Sequence, residues 1–446
     1  MIDSEPPSHP EPRTLRQALG PGLLAMVVVG DILGAGIYIL VGEVAADVGG
    51  MVWLPFLLAF GLAVLTATSY VELVSAEPHA AGSAHYVDLA FGRPMLTFLV
   101  GYVVAASAVS TAAAVSRAVG GQYLGTFFEA PVAPVALVMV LALSVLVWIG
   151  IAESARATAV MTVVEVTGLV LVIVAGALGL FGGAAEPGRL LDSGTANVGA
   201  SGVLAAAALA FFAYLGFEDV VHLSEEVRDP RRAFPRALLG GMAVVGLLYL
   251  GVTISVAVLV DPVQLAASSA PLLEALEAGS LPVPAEVFAL MAIVAVTNTG
   301  LLALTTASRQ IYGLAEKGSI PAMLGRVGRR RTPTVAIVGV AVVVGVLVST
   351  GGVRELADTT VALLLVFTMV NITVLVLRRR GHGGDPTQPR PFRAPSAVPV
   401  IGALGSAVLL VDTLIASGPV LYIRLGVLFT LGLGLYALTK LQRRSP

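Results

Sequence analysis

The chain has 446 residues, of which 57% are hydrophobic and only 12% are charged. A soluble domain carries about 25% charged residues, so this composition argues against a soluble enzyme, a disordered chain and a nucleic-acid-binding protein. The 26 basic and 28 acidic residues nearly balance, and the absence of cysteine excludes disulfides, thiol catalysis and cysteine-ligated metals. The composition predicts an integral membrane protein with no nucleic-acid partner and, with only five histidines, no metal site.

Twelve apolar stretches are candidates to cross a bilayer, which takes about 20 consecutive apolar residues per helix. We number them spans 1 to 12, centred near residues 34, 63, 106, 141, 168, 212, 246, 297, 342, 365, 407 and 430. The sequence lacks the alternation typical of a membrane β-barrel. The segment before span 1 is polar and rich in proline and does not resemble a signal peptide, so span 1 is expected to stay as a helix.

The basic residues predict the orientation of the spans. With the N-terminus inside, 22 of the 26 basic residues fall in cytoplasmic segments, and the outer side keeps only Arg117, Arg189, Arg354 and Arg424. Because lysine and arginine are enriched in cytoplasmic loops, both termini are expected to be cytoplasmic. We therefore expect a multi-pass protein of the cell membrane, with the arginine runs at 329–331 and 378–380 as anchors beside anionic lipid.

Spans 1 and 6 carry small, helix-weakening residues near their middle. Span 1 reads GDILGAGIY over residues 30–38, and span 6 reads FFAYLGFED over residues 211–219. Interrupted helices at corresponding positions of two halves indicate an inverted-repeat transporter, although a glycine-rich span taken alone more often serves close helix packing. An interruption frees backbone N–H groups that suit a carboxylate and carbonyls that suit an ammonium. Together the breaks predict a site for the head group of an amino acid.

At these residues the sequence resembles the amino acid–polyamine–organocation (APC) transporters, and within them the cationic amino acid transporter-like branch. The resemblance rests on residues 33–45 (LGAGIYILVGEVA), 212–218 (FAYLGFE) and 225–230 (EEVRDP). Further similar segments are YVEL at 70–73, SRQIY at 308–312 and RPFRAP at 390–395. It covers nearly the whole chain, in order. It implies an all-α, LeuT-type membrane fold of two inverted five-helix repeats plus two C-terminal helices, with helices 1 and 6 broken.

This fold implies a division of the chain into six segments. They are a cytoplasmic tail (1–20), the first five-helix repeat (21–182), the second, inverted repeat (200–378), a basic, proline-rich cytoplasmic loop (379–396), helices 11 and 12 (397–440) and a cytoplasmic tail (441–446).

The resemblance also implies a substrate site at the two breaks. The substrate carboxylate is expected to meet the N–H groups of Ala35, Gly36 and Ile37, and the aromatic walls are expected from span 6, with Tyr214 also acting as a gate. The amino group is expected to meet carbonyls near Ile32 and at Phe212, Ala213 and Leu215. The full set of expected substrate-binding residues is Ile32, Gly34, Ala35, Gly36, Ile37, Phe212, Ala213, Tyr214, Leu215 and Glu218.

Two buried acids are candidates for ion coupling, because charges inside a bilayer are costly and usually functional. Asp31 in span 1 and Glu165 in span 5 lie about 11–12 Å deep at 1.5 Å per residue, near the expected depth of Thr305 and Thr306 in span 8. By the resemblance, the second ion position lies between helices 1, 5 and 8, and Glu165 stands where several proton-coupled relatives carry lysine. Protonated Glu165 would carry the coupling proton, whereas ionised Glu165 would bind Na⁺ with its neighbours or pair with a cation in an uncoupled carrier.

Two pairs of acids flank the second half of span 6. The acids at 218 and 219 either attract a cationic substrate side chain or cap the positive end of the following helix. Glu225 and Glu226 lie at the cytoplasmic exit, where pairing with Arg309 or Arg93 would close an inner gate. The alternative for this second pair is a solvated loop with little net interaction.

The predicted function is a secondary transporter of amino acids or related amines that alternates access around the two breaks, with a proton carried by Glu165. The alternatives are an uncoupled or Na⁺-coupled exchanger, an ion carrier or channel of the same fold, and a substrate sensor. ATP drive is not expected because the chain lacks a GxxxxGK[ST] loop, and no spacing of catalytic residues indicates an enzyme. The expected partners are the small-molecule substrate and membrane lipid, with no cofactor and no obligatory protein partner.

Overall fold

The computed structural model describes most of the chain as helix. The described residues are 17–119, 124, 127, 131–194, 198–268, 270–279, 281–350, 361–381, 392–416 and 418–444. The predicted cytoplasmic arginines at 13, 16 and 390, and the outer Arg354, lie outside this part of the chain, as does most of the RPFRAP motif's loop.

Sixteen helices follow one another in the described residues. They are α1 (Pro21–Leu33), α2 (Gly36–Val48), α3 (Trp53–Ala76), α4 (Gly82–Phe91), α5 (Pro94–Ala118), α6 (Val132–Ile149), α7 (Ile151–Gly182), α8 (Ala200–Phe212), α9 (Pro230–Leu259), α10 (Pro262–Ala267), α11 (Pro271–Ala278), α12 (Ala285–Glu316), α13 (Thr334–Thr350), α14 (Ala362–Arg379), α15 (Ala397–Ala416) and α16 (Pro419–Arg444). Short 3₁₀ helices cover Gly49–Val52, Pro187–Leu191, Asp219–Glu226 and Ala322–Gly325.

Ten helical segments of the described chain are long and apolar enough to cross a membrane, and two shorter apolar helices lie at Gly202–Phe212 and Thr334–Ser349. These positions correspond to the predicted spans, so the expectation of an all-α, multi-pass membrane protein is confirmed. Burial varies widely among them: 78% of the apolar window in α5 is buried, against 22% in α15 and 11% in α16. The two C-terminal helices therefore lie at the periphery with their apolar side chains facing outward, as lipid-facing helices do.

Both predicted interruptions are present. The helix of span 1 stops at Leu33 and restarts at Gly36, and Gly34 between them has a φ of +20°. The helix of span 6 stops at Phe212, and the following turn contains Gly216 with a φ of +122°. Because L-residues other than glycine rarely adopt positive φ, a glycine in each break makes the change of direction possible.

The two broken segments lie in the middle of the molecule. The helices α2 and α8 pack against each other, and α1 packs against the unbroken helices α7, α9 and α12. The helix α3 covers α8 and α9 from another side. Unbroken helices therefore surround both interruptions.

One backbone bridge ties the two broken segments together at the end predicted to be cytoplasmic. The N–H of Leu19 donates to the carbonyl of Glu226 at 3.0 Å, and the N–H of Arg228 donates to the carbonyl of Leu19 at 2.9 Å. The segment that precedes α1 is thus fixed to the segment that leaves the second break.

Candidate functional site

The two breaks touch each other through backbone. A Cβ atom added to Gly36 would lie 2.7 Å from the Cα atom of Ala213, and one added to Gly216 would lie 2.5 Å from the carbonyl oxygen of Asp31. Real Cβ contacts are longer than this, so neither position has room for a side chain. The structure therefore brings the expected substrate-binding residues of the two breaks together.

Backbone N–H groups are available where α2 begins. The first four N–H groups of a helix have no partner within it, and those of Gly36 and Ile37 belong to this set. The N–H of Ala35 donates to the hydroxyl of Thr299 at 3.1 Å. Thr299 lies on α12 and is absent from the sequence-based predictions.

Backbone carbonyls of both breaks converge on one side chain. The hydroxyl oxygen of Tyr249 lies 2.8 Å from the carbonyl oxygen of Ile32, 2.7 Å from that of Leu33 and 3.1 Å from that of Ala213. Tyr249 is on α9 and is fully buried. Sequence reasoning missed it, because one aromatic residue in an apolar helix carries no signal that separates it from packing.

The aromatic residues expected at the site differ in their surroundings. Tyr214 is fully buried, and its ring centroid lies 5.0 Å from that of Tyr249 and 5.8 Å from that of Phe60. Phe212 is half-buried. Tyr38, the last residue of the GDILGAGIY run, is buried, and its ring centroid lies 6.0 Å from that of Phe288.

Glu165 is completely buried on α7 and meets an amide that the sequence analysis did not single out. The Nδ2 of Asn298 donates to Glu165 Oε1 at 3.0 Å and lies 3.3 Å from the carbonyl oxygen of Gly30. Asn298 thus links α7 to α1 from its position on α12. The second carboxyl oxygen, Oε2, has no hydrogen-bond partner among the described residues, where no basic side chain lies within 4.0 Å of the carboxyl group either.

The other predicted coupling residues are buried but make different contacts. Asp31 lies in the last turn of α1 and is 8% exposed. Thr305 and Thr306 are buried on α12, and the Thr305 hydroxyl donates to the carbonyl of Leu301 in its own helix at 2.8 Å. The α12 residues that hydrogen-bond to Glu165 and to the first break are Asn298 and Thr299, two helical turns earlier.

The two acids after the second break stay close to their own segment. Glu218 is buried, and its Oε2 accepts a hydrogen bond from the N–H of Gly216 at 3.0 Å. Asp219 is half-buried and starts the 3₁₀ helix. The contact of Glu218 stabilises the turn of the break itself, and its side chain makes no cap hydrogen bond to the 3₁₀ helix that follows.

Glu226 and Arg309 form a buried ion pair. Arg309 Nε lies 3.4 Å from Glu226 Oε2, Nη2 lies 3.4 Å from Oε1, and both side chains are 0% exposed. The pair joins the end of the second broken segment to α12, beside the backbone bridge at Leu19. Glu225 instead accepts a hydrogen bond from the N–H of Ala80 at 2.9 Å.

Comparison with known proteins identifies the family of the chain. Residues 21–432 match the family model described as amino acid permease. The chain belongs to this family. The branched-chain amino acid permease BcaP of Bacillus subtilis is 28% identical and aligns with 96% of this chain and 93% of its own length. The vacuolar cationic amino acid transporter 2 of Arabidopsis thaliana is 31% identical and aligns with 82% of this chain and 60% of its own length. An uncharacterised transporter of Mycobacterium tuberculosis is 30% identical and aligns with 89% of this chain and 86% of its own length.

The resemblance to the APC transporters is therefore confirmed. The family and these relatives are transporters, not enzymes, and they support amino acid transport as the function of this permease. The permease spans less than two thirds of the length of the plant relatives and nearly all of the Bacillus one.

Two stacked histidines lie outside the candidate membrane spans of this permease, where His79 Nδ1 lies 3.5 Å from Glu225 Oε1. The rings of His79 and His85 stack with centroids 4.2 Å apart. Burial, together with the nearby charge of Lys317, lowers the pKa of His79, and burial together with His79 lowers the pKa of His85 to about 3. Both rings are therefore neutral near pH 7.

One of these histidines, His79, belongs to the one group of three side chains in the described chain that has the spacing of metal ligands. His79, Glu225 and Glu316 each place a ligand atom within 4.8 Å of the others. Each of them already accepts a hydrogen bond: His79 Nδ1 from the N–H of Ala81, and the two carboxylates from the N–H of Ala80 and the hydroxyl of Tyr312. Hydrogen bonds to the surrounding chain thus account for the trio without a metal.

Alanine in place of Gly36 is expected to lower the transport rate about tenfold or more, which corresponds to a rise of about 1.4 kcal/mol or more in the activation free energy of transport. The added Cβ would push the first break away from Ala213. Uptake into proteoliposomes, normalised to monodisperse protein, measures the effect. Gly22→Ala in the first turn of α1 is the matched control, because a Cβ there meets nothing within 4 Å. Equal uptake by the two variants would contradict this role of the contact.

Proposed function

We propose that this permease is a LeuT-type secondary transporter that carries amino acids or related amines by alternating access around its two breaks. One observation carries the proposal. The first N–H groups of α2 and the carbonyls of Ile32, Leu33 and Ala213 belong to the same pair of touching breaks. Unpaired N–H groups suit a carboxylate and grouped carbonyls suit an ammonium, and an amino acid carries both.

The substrate side chain is left open by this recognition, because backbone groups bind only the head group. The relatives differ in the same respect, since their names specify branched-chain amino acids in one case and cationic amino acids in another. Glu218 hydrogen-bonds to the turn of the break, so it does not by itself favour a cationic substrate.

Reconstituted permease is expected to take up an amino acid with saturable and stereospecific kinetics. The free amino acid should compete for uptake, whereas its N-acetyl and methyl ester derivatives should not, because each lacks one of the two charges of the head group. Uptake of labelled amino acids into proteoliposomes, with these competitors, measures this. Ion flux without amino acid flux would instead indicate an ion carrier or channel, and binding without counterflow would indicate a sensor.

We further propose that Glu165 carries a coupling proton. Its carboxyl group is 0% exposed, and a single amide hydrogen bond, from Asn298, reaches it within the described structure. An ionised carboxylate without a nearby cation is costly in such surroundings, whereas a protonated carboxyl is neutral and gains a hydrogen-bond donor. A bound Na⁺, which as a hard cation prefers oxygen ligands such as a carboxylate, is the alternative.

Glu165→Gln is expected to keep substrate exchange but to lose the stimulation of uptake by an inward proton gradient, because glutamine mimics the protonated carboxyl and cannot release a proton. Uptake with and without a pH gradient, in Na⁺-free buffer, measures this. Glu153→Gln, on the same helix near its start, should respond to the gradient like the wild type. A wild-type response to the gradient in Glu165→Gln would refute proton coupling through this residue.

We propose that the Glu226–Arg309 pair is an inner gate that holds the predicted cytoplasmic side shut. Both charges are removed from water, and the pair links the second broken segment to α12. Opening this side would separate those two elements and rehydrate both charges. Tyr214 precedes Glu226 in the same segment and lies at the breaks, where its ring contacts that of Tyr249.

Glu226→Gln is expected to open this side, because it leaves the Arg309 charge buried without its partner. The chain has no cysteine, so Ser224→Cys provides a single buried reporter whose native hydroxyl has no partner in the described structure. Maleimide labelling of this reporter should speed up about tenfold for each 1.4 kcal/mol of destabilisation. Glu186→Gln, which breaks an exposed pair with Arg189, is the control and should leave the labelling rate unchanged. Unchanged labelling in both variants would refute the gate.

A further inference from the structure

The carbonyl cluster at the breaks can accept more hydrogen bonds than Tyr249 can donate. Three carbonyl oxygens lie within 3.1 Å of its hydroxyl oxygen. A tyrosine hydroxyl carries one proton, so it can serve one carbonyl at a time and leaves two without a shared proton. An ammonium group, with three N–H donors, matches the number of acceptors.

The hydroxyl oxygen also lies where an ammonium nitrogen would lie. Hydrogen bonds between N–H groups and oxygen span about 2.7–3.2 Å, the same range as the distances from Tyr249 Oη to the carbonyls of Ile32, Leu33 and Ala213. Two atoms cannot share that position. A substrate amino group that takes this position must therefore displace the hydroxyl.

We propose that Tyr249 is an internal substitute for the substrate amino group, and this rests on the proposed function above. Its hydroxyl holds the carbonyls of both breaks when no substrate is bound and gives them up when the amino group arrives. Tyr249 is a positioning residue: it lets the breaks close around an empty site. The charged amino group, with three donors, outcompetes the neutral hydroxyl with one.

The substitute has a consequence for the transport cycle. A net transporter must return empty, and its breaks must close without substrate to do so. Buried carbonyls without a donor are costly, so an empty carrier without this hydroxyl closes less readily. The loaded carrier does not need the hydroxyl, because the amino group serves the carbonyls. Loss of the hydroxyl should therefore slow net uptake and spare exchange.

The neighbouring rings allow the hydroxyl to be removed alone. The Tyr249 ring packs edge-on against Phe56, with centroids 6.1 Å apart and an interplanar angle of 88°, and lies 5.0 Å from the ring of Tyr214. Phenylalanine keeps these contacts. Thr253 lies one turn farther along the same helix, and its hydroxyl oxygen lies 2.8 Å from the carbonyl oxygen of Tyr249 and 3.1 Å from that of Leu250. Thr253→Val therefore removes a buried hydroxyl that does not reach the breaks.

The test compares net uptake with exchange in proteoliposomes for the wild type, Tyr249→Phe and Thr253→Val. Net uptake is measured into empty vesicles, and exchange into vesicles preloaded with the unlabelled amino acid. For Tyr249→Phe the ratio of net uptake to exchange is expected to fall about tenfold or more, with exchange near the wild-type rate and tighter substrate binding in thermal-shift titrations. Thr253→Val should keep the wild-type ratio.

Each other outcome has a defined meaning. An unchanged ratio in Tyr249→Phe, or equal loss of both fluxes in a folded variant that no longer binds substrate, overturns the internal-substitute role. Should the phenylalanine variant not fold, Tyr249→His and Tyr249→Leu repeat the comparison with and without a ring N–H donor, and equal ratios in that pair overturn the role. Absence of both fluxes in the wild type would instead refute the proposed function.

Discussion

A break in a membrane helix leaves backbone groups that lipid cannot hydrogen-bond, and the centre of this permease is organised around that cost. Every polar backbone group in the hydrocarbon region needs a partner within the protein. Thr299 accepts from the N–H of Ala35, Tyr249 reaches the carbonyls on both breaks, and Asn298 reaches the carbonyl of Gly30. These partners lie on α9 and α12, which are unbroken. The continuous helices thus supply some of the hydrogen bonds that the interrupted ones lose.

The same constraint explains why small residues mark the breaks. Hydrogen-bond partners can be shared between two breaks only if the backbones come close, and close approach excludes side chains. Gly36 lies against Ala213, and Gly216 lies against the carbonyl of Asp31. A change of direction and a close contact therefore both select glycine here, which is why the interruptions are visible in the sequence as a cluster of small residues.

The sequence predicted those features that leave a compositional mark. Apolar length marks the spans, glycine marks the breaks, and isolated charges such as Glu165 and Glu226 stand out in an apolar chain. Tyr249 leaves no such mark, because one aromatic residue in an apolar helix looks like packing. Asn298 and Thr299 stand in a polar run, TNT at 297–299, but the rotation that turns them toward the breaks cannot be read from one sequence.

Depth along a helix is hard to predict from sequence. The sequence analysis put Thr305 and Thr306 near the depth of Glu165, and their role in ion coupling stays a prediction, whereas the α12 residue that hydrogen-bonds to Glu165 in the structure is Asn298. The helix α12 runs to Glu316 and has 32 residues, which is about 48 Å at 1.5 Å per residue and exceeds the bilayer core of about 30 Å. A helix that projects beyond the membrane gives no reliable origin for counting. Seven residues, about 10 Å of rise, separate the two assignments.

The buried pair of Glu226 and Arg309 suits a contact that must both close and open. Desolvation of two charges offsets most of their attraction, so a buried ion pair adds little net stability compared with apolar packing. When the two elements separate, both charges recover their hydration. An arrangement that buries either charge without the other is therefore strongly disfavoured. The closed arrangement, in which both are buried together, is favoured only weakly over the open one. An alternating carrier needs two arrangements that differ by a few kcal/mol, and a gate made of large apolar side chains would bias the equilibrium further toward one side.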